Sequence, residues 1–172
     1  MAFADVMHAY FRGEKLEAFG FILPIGVLLI GFAGVAIKVE RPGFAWGVAM
    51  PCILFGLAVV GTGWVVGART AGQVAELDRL LADSPVALIT AELPRMARVN
   101  EAFALYVKGY LAMTVIGLGL RFALRADWAH GLGAALILIA GLGFMIDGFA
   151  ERRARVYTKA LHELVHDNPI VD

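Results

Sequence analysis

Residues 18–37 read AFGFILPIGVLLIGFAGVAI, twenty residues without a charged side chain. A helix of that length rises about 30 Å, which is the thickness of the hydrocarbon core of a bilayer. Three further stretches, 43–66, 103–124 and 128–148, have the same character, and the four together contain only Lys108, Arg121 and Asp147 as charged residues. Because backbone groups in lipid must bond within their own segment, and no stretch alternates as a barrel strand does, we predict four transmembrane helices.

The composition of the whole chain agrees with this prediction. Of 172 residues, 60% are apolar and 17% are charged, whereas charged residues make up about 25% of a soluble domain. Fifteen basic and fifteen acidic residues leave no net charge, which excludes an electrostatic nucleic-acid binder. We therefore expect residues 1–172 to form a single all-α integral membrane domain.

Basic residues are distributed unequally between the two sides of the predicted membrane. Ten Lys and Arg residues lie on the side that holds both termini and the long segment between spans 2 and 3, and four lie on the other side. Under the positive-inside rule, this bias predicts that both termini are cytoplasmic.

The predicted cytoplasmic part has three helical segments, 1–16, 70–102 and 149–167. In the first, Phe3, Met7, Tyr10 and Phe11 lie near one helical face. This pattern is typical of a short helix lying on the membrane surface before the chain turns inward.

The second and third segments are also expected to be amphipathic helices. Val74, Leu77 and Leu81 recur at helical spacing, and Ser84-Pro85 has the form of an N-cap followed by proline at the first helical position. The residues after span 4 continue as a helix, and we expect the three segments to pack together beneath the membrane.

Charged side chains in the spans are the first candidates for function. Lys108 lies about one and a half turns into the third span, where a charge costs about 2–3 kcal/mol on insertion scales. Asp147, Glu101 and Glu17 are expected at a similar level and complete an intramembrane charge cluster. Three interpretations stay open: a structural ion pair, a proton or ion path, and a binding site for an anionic headgroup or a partner.

The string His162-Glu163-Leu-Val-His166 matches H-E-x-x-H, which resembles the zinc site of metallopeptidases. Those enzymes take a third ligand from further along the chain, and too little chain follows here. Substitutes would have to come from positions at no recognised spacing, namely Glu92, Asp83, Asp172 or His8. We therefore expect a solvated helix end without a metal or other cofactor, and keep His162 and His166 as the candidates if a metal binds.

Small residues form the third feature. Gly43 and Gly47, and Gly63 and Gly67, are small-xxx-small pairs, and the fourth span carries Gly131, Gly133, Gly141 and Gly143. Such residues let helix backbones approach closely, either within one chain or between copies.

Three short strings carry a family resemblance: YFRGEKLE at 10–17, ELPRM at 92–96, and DGFAERRA at 147–154 with Tyr157 beyond it. With the four-span layout, they resemble a set of small, uncharacterised four-span bacterial inner-membrane proteins. The resemblance implies an inner-membrane location and no activity. It directs attention to a cytoplasmic rim whose candidate interaction residues are Glu14, Arg95, Arg98, Glu151 and Arg152.

These observations favour a non-enzymatic membrane protein that acts by helix association, with itself or with a membrane partner, as an accessory or immunity-like protein. A homo-oligomeric ion or proton channel or small transporter that uses Lys108 and Asp147 is the alternative. A membrane zinc metallopeptidase acting through His162, Glu163 and His166 is the remote alternative.

Overall fold

The computed structural model describes residues 2–168, and within this range the chain is almost entirely helical and contains no strand. Five α-helices follow one another, and a single π-helical turn, Ala18–Ile22, joins the first two. Their bounds are α1 Phe3–Glu17, α2 Leu23–Val39, α3 Pro42–Asp83, α4 Pro85–Ala123 and α5 Asp127–Asp167. The all-α prediction is confirmed.

Four helical stretches are long and apolar enough to cross a membrane: Phe3–Val39, which combines α1 and α2, and then α3, α4 and α5. Each has 37 to 42 residues and is therefore about 60 Å long, twice the thickness of the hydrocarbon core. Each stretch thus has an apolar part and a polar part. We call the apolar parts together the apolar half, and the remainder, which comprises α1 and residues 70–83, 85–102 and 149–167, the polar half.

The helix boundaries follow from local chemistry. Ser84 separates α3 from α4 in an extended conformation, and its Oγ accepts a hydrogen bond from the backbone N–H of Ala87 at 3.2 Å. Pro85 follows at the first turn, where a missing N–H costs nothing. The predicted N-cap is confirmed, and the segment between spans 2 and 3 consists of the ends of α3 and α4.

The π-helical turn Ala18–Ile22 ends two residues before Pro24, which lies in the first turn of α2. A proline inside a helix removes one backbone hydrogen bond, and its ring crowds the carbonyl of the residue four positions earlier. A wider turn is one way in which a helix accommodates such an interruption. The chain therefore passes from α1 into α2 as one continuous stretch.

In the apolar half, α3 and α5 pack against each other at the centre, α2 packs on α3, and α4 packs on α5. Glycines lie at these crossings. A Cβ on Gly26 of α2 would come within 2.7 Å of the backbone oxygen of Gly56 of α3, and a Cβ on Gly117 of α4 would come within 2.8 Å of that of Gly133 of α5.

The glycines singled out in the sequence pack mainly within the chain. Those of the second span, Gly43, Gly47, Gly63 and Gly67, lie against α5 or against the π-helical turn. In the fourth span, Gly131 contacts α3, and Gly133 and Gly143 contact α4. Gly141 differs, because a Cβ there would meet nothing within 4 Å.

The polar half has its own core, to which α1, α3, α4 and α5 all contribute. Its buried residues are Met7, Tyr10, Phe11, Leu77, Leu88, Ile89, Met96, Ala154, Tyr157 and Leu161. The apolar face of α1, expected to lie on a membrane surface, is instead packed inside the protein, with Met7 and Phe11 fully buried. The sequence pattern is the same in both cases, because an apolar stripe can be buried against lipid or against other helices.

Candidate functional site

A buried carboxylate, Glu92 of α4, is the centre of the most polar part of this core, and its residue is only 4% exposed. Arg95, one turn later, donates from both Nε and a terminal nitrogen to the two Glu92 oxygens, each at 2.6 Å. Tyr157 of α5 donates its hydroxyl to the same carboxylate at 2.8 Å. A buried charge is stable when it is paired and hydrogen-bonded in this way.

Aromatic rings from α1 close this site. The Arg95 guanidinium lies over Phe11 and Tyr10, at 5.5 and 6.0 Å from the ring centroids, within the range of cation–π attraction. The Tyr10 and Tyr157 rings stack with their centroids 4.8 Å apart. Three helices therefore meet around a single ion pair.

The surroundings shift the pKa values of the buried groups. Burial, and then the nearby Glu92 carboxylate, raise the pKa of Tyr157 well above its usual range. Burial works against the charge of Arg95, but the hydrogen bonds and charge of Glu92 outweigh it and raise the pKa of that guanidinium. Tyr157 is therefore a neutral donor and Arg95 a fixed cation.

A second group of charges lies where α1 approaches α3 and α5. Glu17 accepts a hydrogen bond from Arg153, and Glu14 pairs with Arg69 of α3 at 3.6 Å. Gly13 makes room for Arg153, because a Cβ there would lie 2.5 Å from the arginine Cδ. Burial raises the pKa of Glu14, and Arg69, Arg95 and Arg153 oppose this effect.

Three buried polar atoms in the described part of the chain have no hydrogen-bond partner: Oε2 of Glu14, Oε1 of Gln73 and Nε of Arg153. A buried polar atom without a partner costs about 1–3 kcal/mol. We call the two groups together, with their six charged side chains Glu14, Glu17, Arg69, Glu92, Arg95 and Arg153, the charge network. The negative charges of its three carboxylates equal in number the positive charges of its three guanidinium groups.

The predicted intramembrane cluster is distributed over different contacts. Asp147 accepts a hydrogen bond from the Tyr110 hydroxyl at 2.6 Å, and Glu17 bonds to Arg153. Lys108 and Glu101 lie on the exposed side of α4. Among residues 2–168, Lys108 forms no ion pair, so the structure does not join it to Asp147.

The five predicted rim residues differ in their surroundings. Glu14 and Arg95 point inward and belong to the charge network. Glu151 accepts a hydrogen bond from Arg155 at 2.5 Å, whereas Arg98 and Arg152 are exposed.

The H-E-x-x-H string lies at the C-terminal end of α5. Nδ1 of His162 is 2.8 Å from the carbonyl oxygen of Thr158, and His166 is exposed. Residues 2–168 contain no group of three His, Cys, Asp or Glu side chains arranged to hold a metal ion. The proposed substitutes in this range contact other residues: Glu92 contacts Arg95, Asp83 contacts Arg79, and His8 contacts Asp78. Asp172 lies outside the described residues.

Sequence reasoning missed the pairing that matters most here. Glu92, Tyr157 and Arg153 appear within or beside the three strings that carried the family resemblance, and the structure brings these strings together. The available signal was their shared combination of aromatic and charged residues, but the strings are separated by 50 residues or more along the chain. Comparisons with known protein families, with curated proteins and with solved structures find no match to this chain.

Proposed function

We propose that this chain is a non-enzymatic multi-pass membrane protein that acts by helix association, and that α4 is the helix through which it associates. The proposal includes no catalytic step and no cofactor. Its partner is a second copy of the chain or another protein of the same membrane, as for an accessory or immunity-like protein.

The observation that supports this proposal is the uncovered face of α4. In its most apolar window only 6% of the residues are buried, against 22–28% in the other three spanning stretches. Lys108 lies on that face, among exposed apolar residues such as Leu105 and Leu111. Small residues there, Gly109 and Gly119, have open space around them.

A charged residue inside a span faces protein or water in most membrane proteins, because lipid solvates it poorly. Lys108 has no partner of that kind within the described chain, so a carboxylate of a neighbouring helix would stabilise it. The competing explanation is that its long side chain extends to the headgroup region. Under the first explanation, another protein contacts the part of α4 that lies further from the polar half, beyond the reach of the Lys108 side chain. Under the second explanation, that part of α4 contacts lipid.

Site-specific photo-crosslinking tests the proposal. A benzoylphenylalanine replaces Val115 on α4 or, as the matched control, Leu28 on α2; both residues are 69% exposed. We expect a protein adduct in native membranes from Val115 only, and we expect Lys108→Ala to weaken it. Lipid adducts alone from both positions would contradict association through α4. Native mass spectrometry then identifies the crosslinked partner as a second copy of the chain or as another protein.

We also propose that both termini are cytoplasmic and that the membrane is a bacterial inner membrane. The support is the basic bias of the polar half, together with the family resemblance. Two exposed alanines allow a matched test, because Ala82 precedes the α3–α4 turn and Ala126 lies in the α4–α5 turn. An impermeant maleimide should label Ala126→Cys and not Ala82→Cys in intact cells, and the reverse pattern would invert the topology. The native Cys52 is buried and should stay silent.

A homo-oligomeric channel or small transporter is the second candidate. The exposed position of Lys108 favours it, because association through α4 would bring Lys108 to a boundary between subunits. Reconstituted wild-type protein should then carry an ion flux that Lys108→Ala changes. Equal, background-level flux from both proteins would remove this candidate.

A further inference from the structure

A groove separates α1 from α5 on the outer surface of the polar half, with a volume of about 410 Å³. Its walls are apolar, formed by Val6 and Ala9 on one side and Val156 on the other, and the rings of Tyr10 and Tyr157 form its floor. Arg152 and Arg153 line the end nearer the apolar half. The groove therefore combines an apolar interior with a basic end.

That end is positively charged because the nearby carboxylates are already paired. Glu17 binds Arg153, and Glu151 binds Arg155. Arg152 is exposed and forms no ion pair within residues 2–168. On α1, Arg12 and Lys15 are likewise exposed and have no ion pair with any described residue.

The basic end also lies at the depth of the lipid headgroups. Arg152 comes four residues, about 6 Å, after the end of the fourth predicted span. On α1, Leu16 follows Ala9 by seven residues and therefore lies on the same, groove-facing side of the helix. On α5, Phe149 precedes Arg152 by three residues and likewise lies on the groove-facing side. Leu16 and Phe149 are 66% and 57% exposed, so apolar surface lies directly on the membrane side of the arginine.

We propose that the basic end of this groove binds the headgroup of an anionic phospholipid. Arg152 contacts the phosphate, Arg12 adds positive potential, and the acyl chains lie along Leu16 and Phe149. Basic pockets between helices near the membrane surface recognise anionic lipids through the same combination of charge and apolar contact.

A second copy of the chain is a poorer occupant of this groove. Copies in one membrane lie parallel, so a symmetric contact here would place Arg152 opposite its own equivalent, and like charges repel. A negatively charged lipid complements the same residues without that repulsion.

Native mass spectrometry of the full chain in detergent, titrated with phosphatidylglycerol, tests the proposal, with phosphatidylcholine as the neutral lipid. We expect preferential retention of phosphatidylglycerol and about fivefold weaker binding by Arg152→Gln, the effect of one basic residue near an anionic surface. Arg98→Gln is the matched control: Arg98 of α4 is likewise exposed and forms no ion pair within residues 2–168, but it does not line this groove.

A second variant fills the groove without changing charge. Ala9 is exposed on the groove wall, so Ala9→Phe should fold normally and weaken phosphatidylglycerol binding. Equal retention of the two lipids, or equal losses in Arg152→Gln and Arg98→Gln, would overturn the proposal, because binding would then be non-specific. Binding that resists both Arg152→Gln and Ala9→Phe would also overturn it.

The inference rests on the membrane placement used for the proposed function but not on association through α4. Crosslinking at Val115 reports the α4 face and lipid titration reports the α1–α5 groove, so failure of one is distinguishable from failure of the other.

Discussion

Glu92 illustrates how this protein holds charge in its interior. Its carboxylate is nearly inaccessible, yet it accepts three hydrogen bonds, two from Arg95 and one from Tyr157. Removing one donor leaves part of a buried charge without a partner, and this costs more than the net gain of making the bond. The contacts of Glu92 join α4 to α5, so the stability of this carboxylate and the packing of these two helices depend on each other.

The hydroxyl of Tyr157 should therefore contribute measurably to stability. Tyr157→Phe keeps the ring and its stacking on Tyr10 but removes the bond to Glu92, and hydrogen bonds to charged groups contribute about 1.5–3 kcal/mol. Tyr106→Phe is the matched control, because Tyr106 is 48% exposed. Thermal unfolding in detergent should show a lower midpoint for Tyr157→Phe only. Equal midpoints for the two variants would mean that Glu92 does not depend on this donor.

Glu14 should make stability depend on pH. Burial raises its pKa above the ordinary value of 4.5, so the folded protein holds the proton more tightly than the unfolded chain does. The stabilisation from this proton is complete below pH 4.5 and is lost as the pH rises through the folded-state pKa.

The unfolding midpoint of Glu14→Gln should therefore fall less than that of the wild type between acidic and neutral pH. Glu163→Gln removes a carboxylate that is 67% exposed and serves as the control. Parallel pH profiles for wild type and Glu14→Gln would show that Glu14 does not titrate differently on folding.

At the scale of the elements, α1 and α2 are one continuous stretch with two different environments. α1 contributes apolar and aromatic side chains to the core of the polar half, whereas α2 packs on α3 through glycine. The π-helical turn that joins them packs on α3, where a Cβ on Gly63 would lie 3.0 Å from backbone atoms of Ala18 and Leu23. The direction of this stretch is therefore fixed along the length of α3.

The crossing of α2 and α3 should be sensitive to a single methyl group. In Gly26→Ala the new Cβ would lie 2.7 Å from the Gly56 carbonyl oxygen and 2.9 Å from the Val60 nitrogen. Both atoms belong to the backbone, so the helices must separate, and overpacking of this kind costs about 1–3 kcal/mol.

Gly31→Ala on the same helix is the control, because its Cβ would meet nothing within 4 Å. We expect a lower thermal midpoint for Gly26→Ala and an unchanged or higher one for Gly31→Ala. The same loss in both variants would indicate an effect of the substitution itself rather than of the crossing.

At the scale of the whole molecule, two separate cores share the same long helices. The polar core centres on Tyr157 and Leu161, and the core of the apolar half centres on small residues such as Ala33, Ala49 and Cys52. Water drives the packing of the first, because leaving its apolar side chains exposed is unfavourable. Close contact between small residues stabilises the second, since lipid offers apolar side chains an environment as favourable as the protein.

The polar core should therefore be weakened without loss of membrane insertion. Leu161 is fully buried there, and Leu161→Ala should cost about 2–5 kcal/mol. We expect faster proteolysis of the polar half, while the protein remains in the membrane fraction after alkaline extraction. Leu16→Ala, at a residue that is 66% exposed, should change neither measurement. Release of Leu161→Ala from the membrane would show that the two cores fold as one unit.

The sequence by itself determined the helical class, the four spanning stretches and the break at Ser84. These features depend on local properties: the length of an apolar run, a capping side chain and a proline at the first helical position. The spacing of the glycines predicted close helix contacts, but it left open whether these contacts lie within the chain or between copies.

Only the tertiary structure decided that α1 is buried among other helices, that Glu92 pairs with Arg95 and Tyr157, and that Lys108 forms no ion pair with Asp147. A helical pattern predicts which residues share a face of the helix, but not whether that face contacts lipid or another helix. Lys108 and Asp147 lie at comparable depths in their predicted spans, yet the rotation of α4 about its axis turns Lys108 outward. That rotation is set by side-chain packing of α4 on α5, which no single stretch of sequence contains.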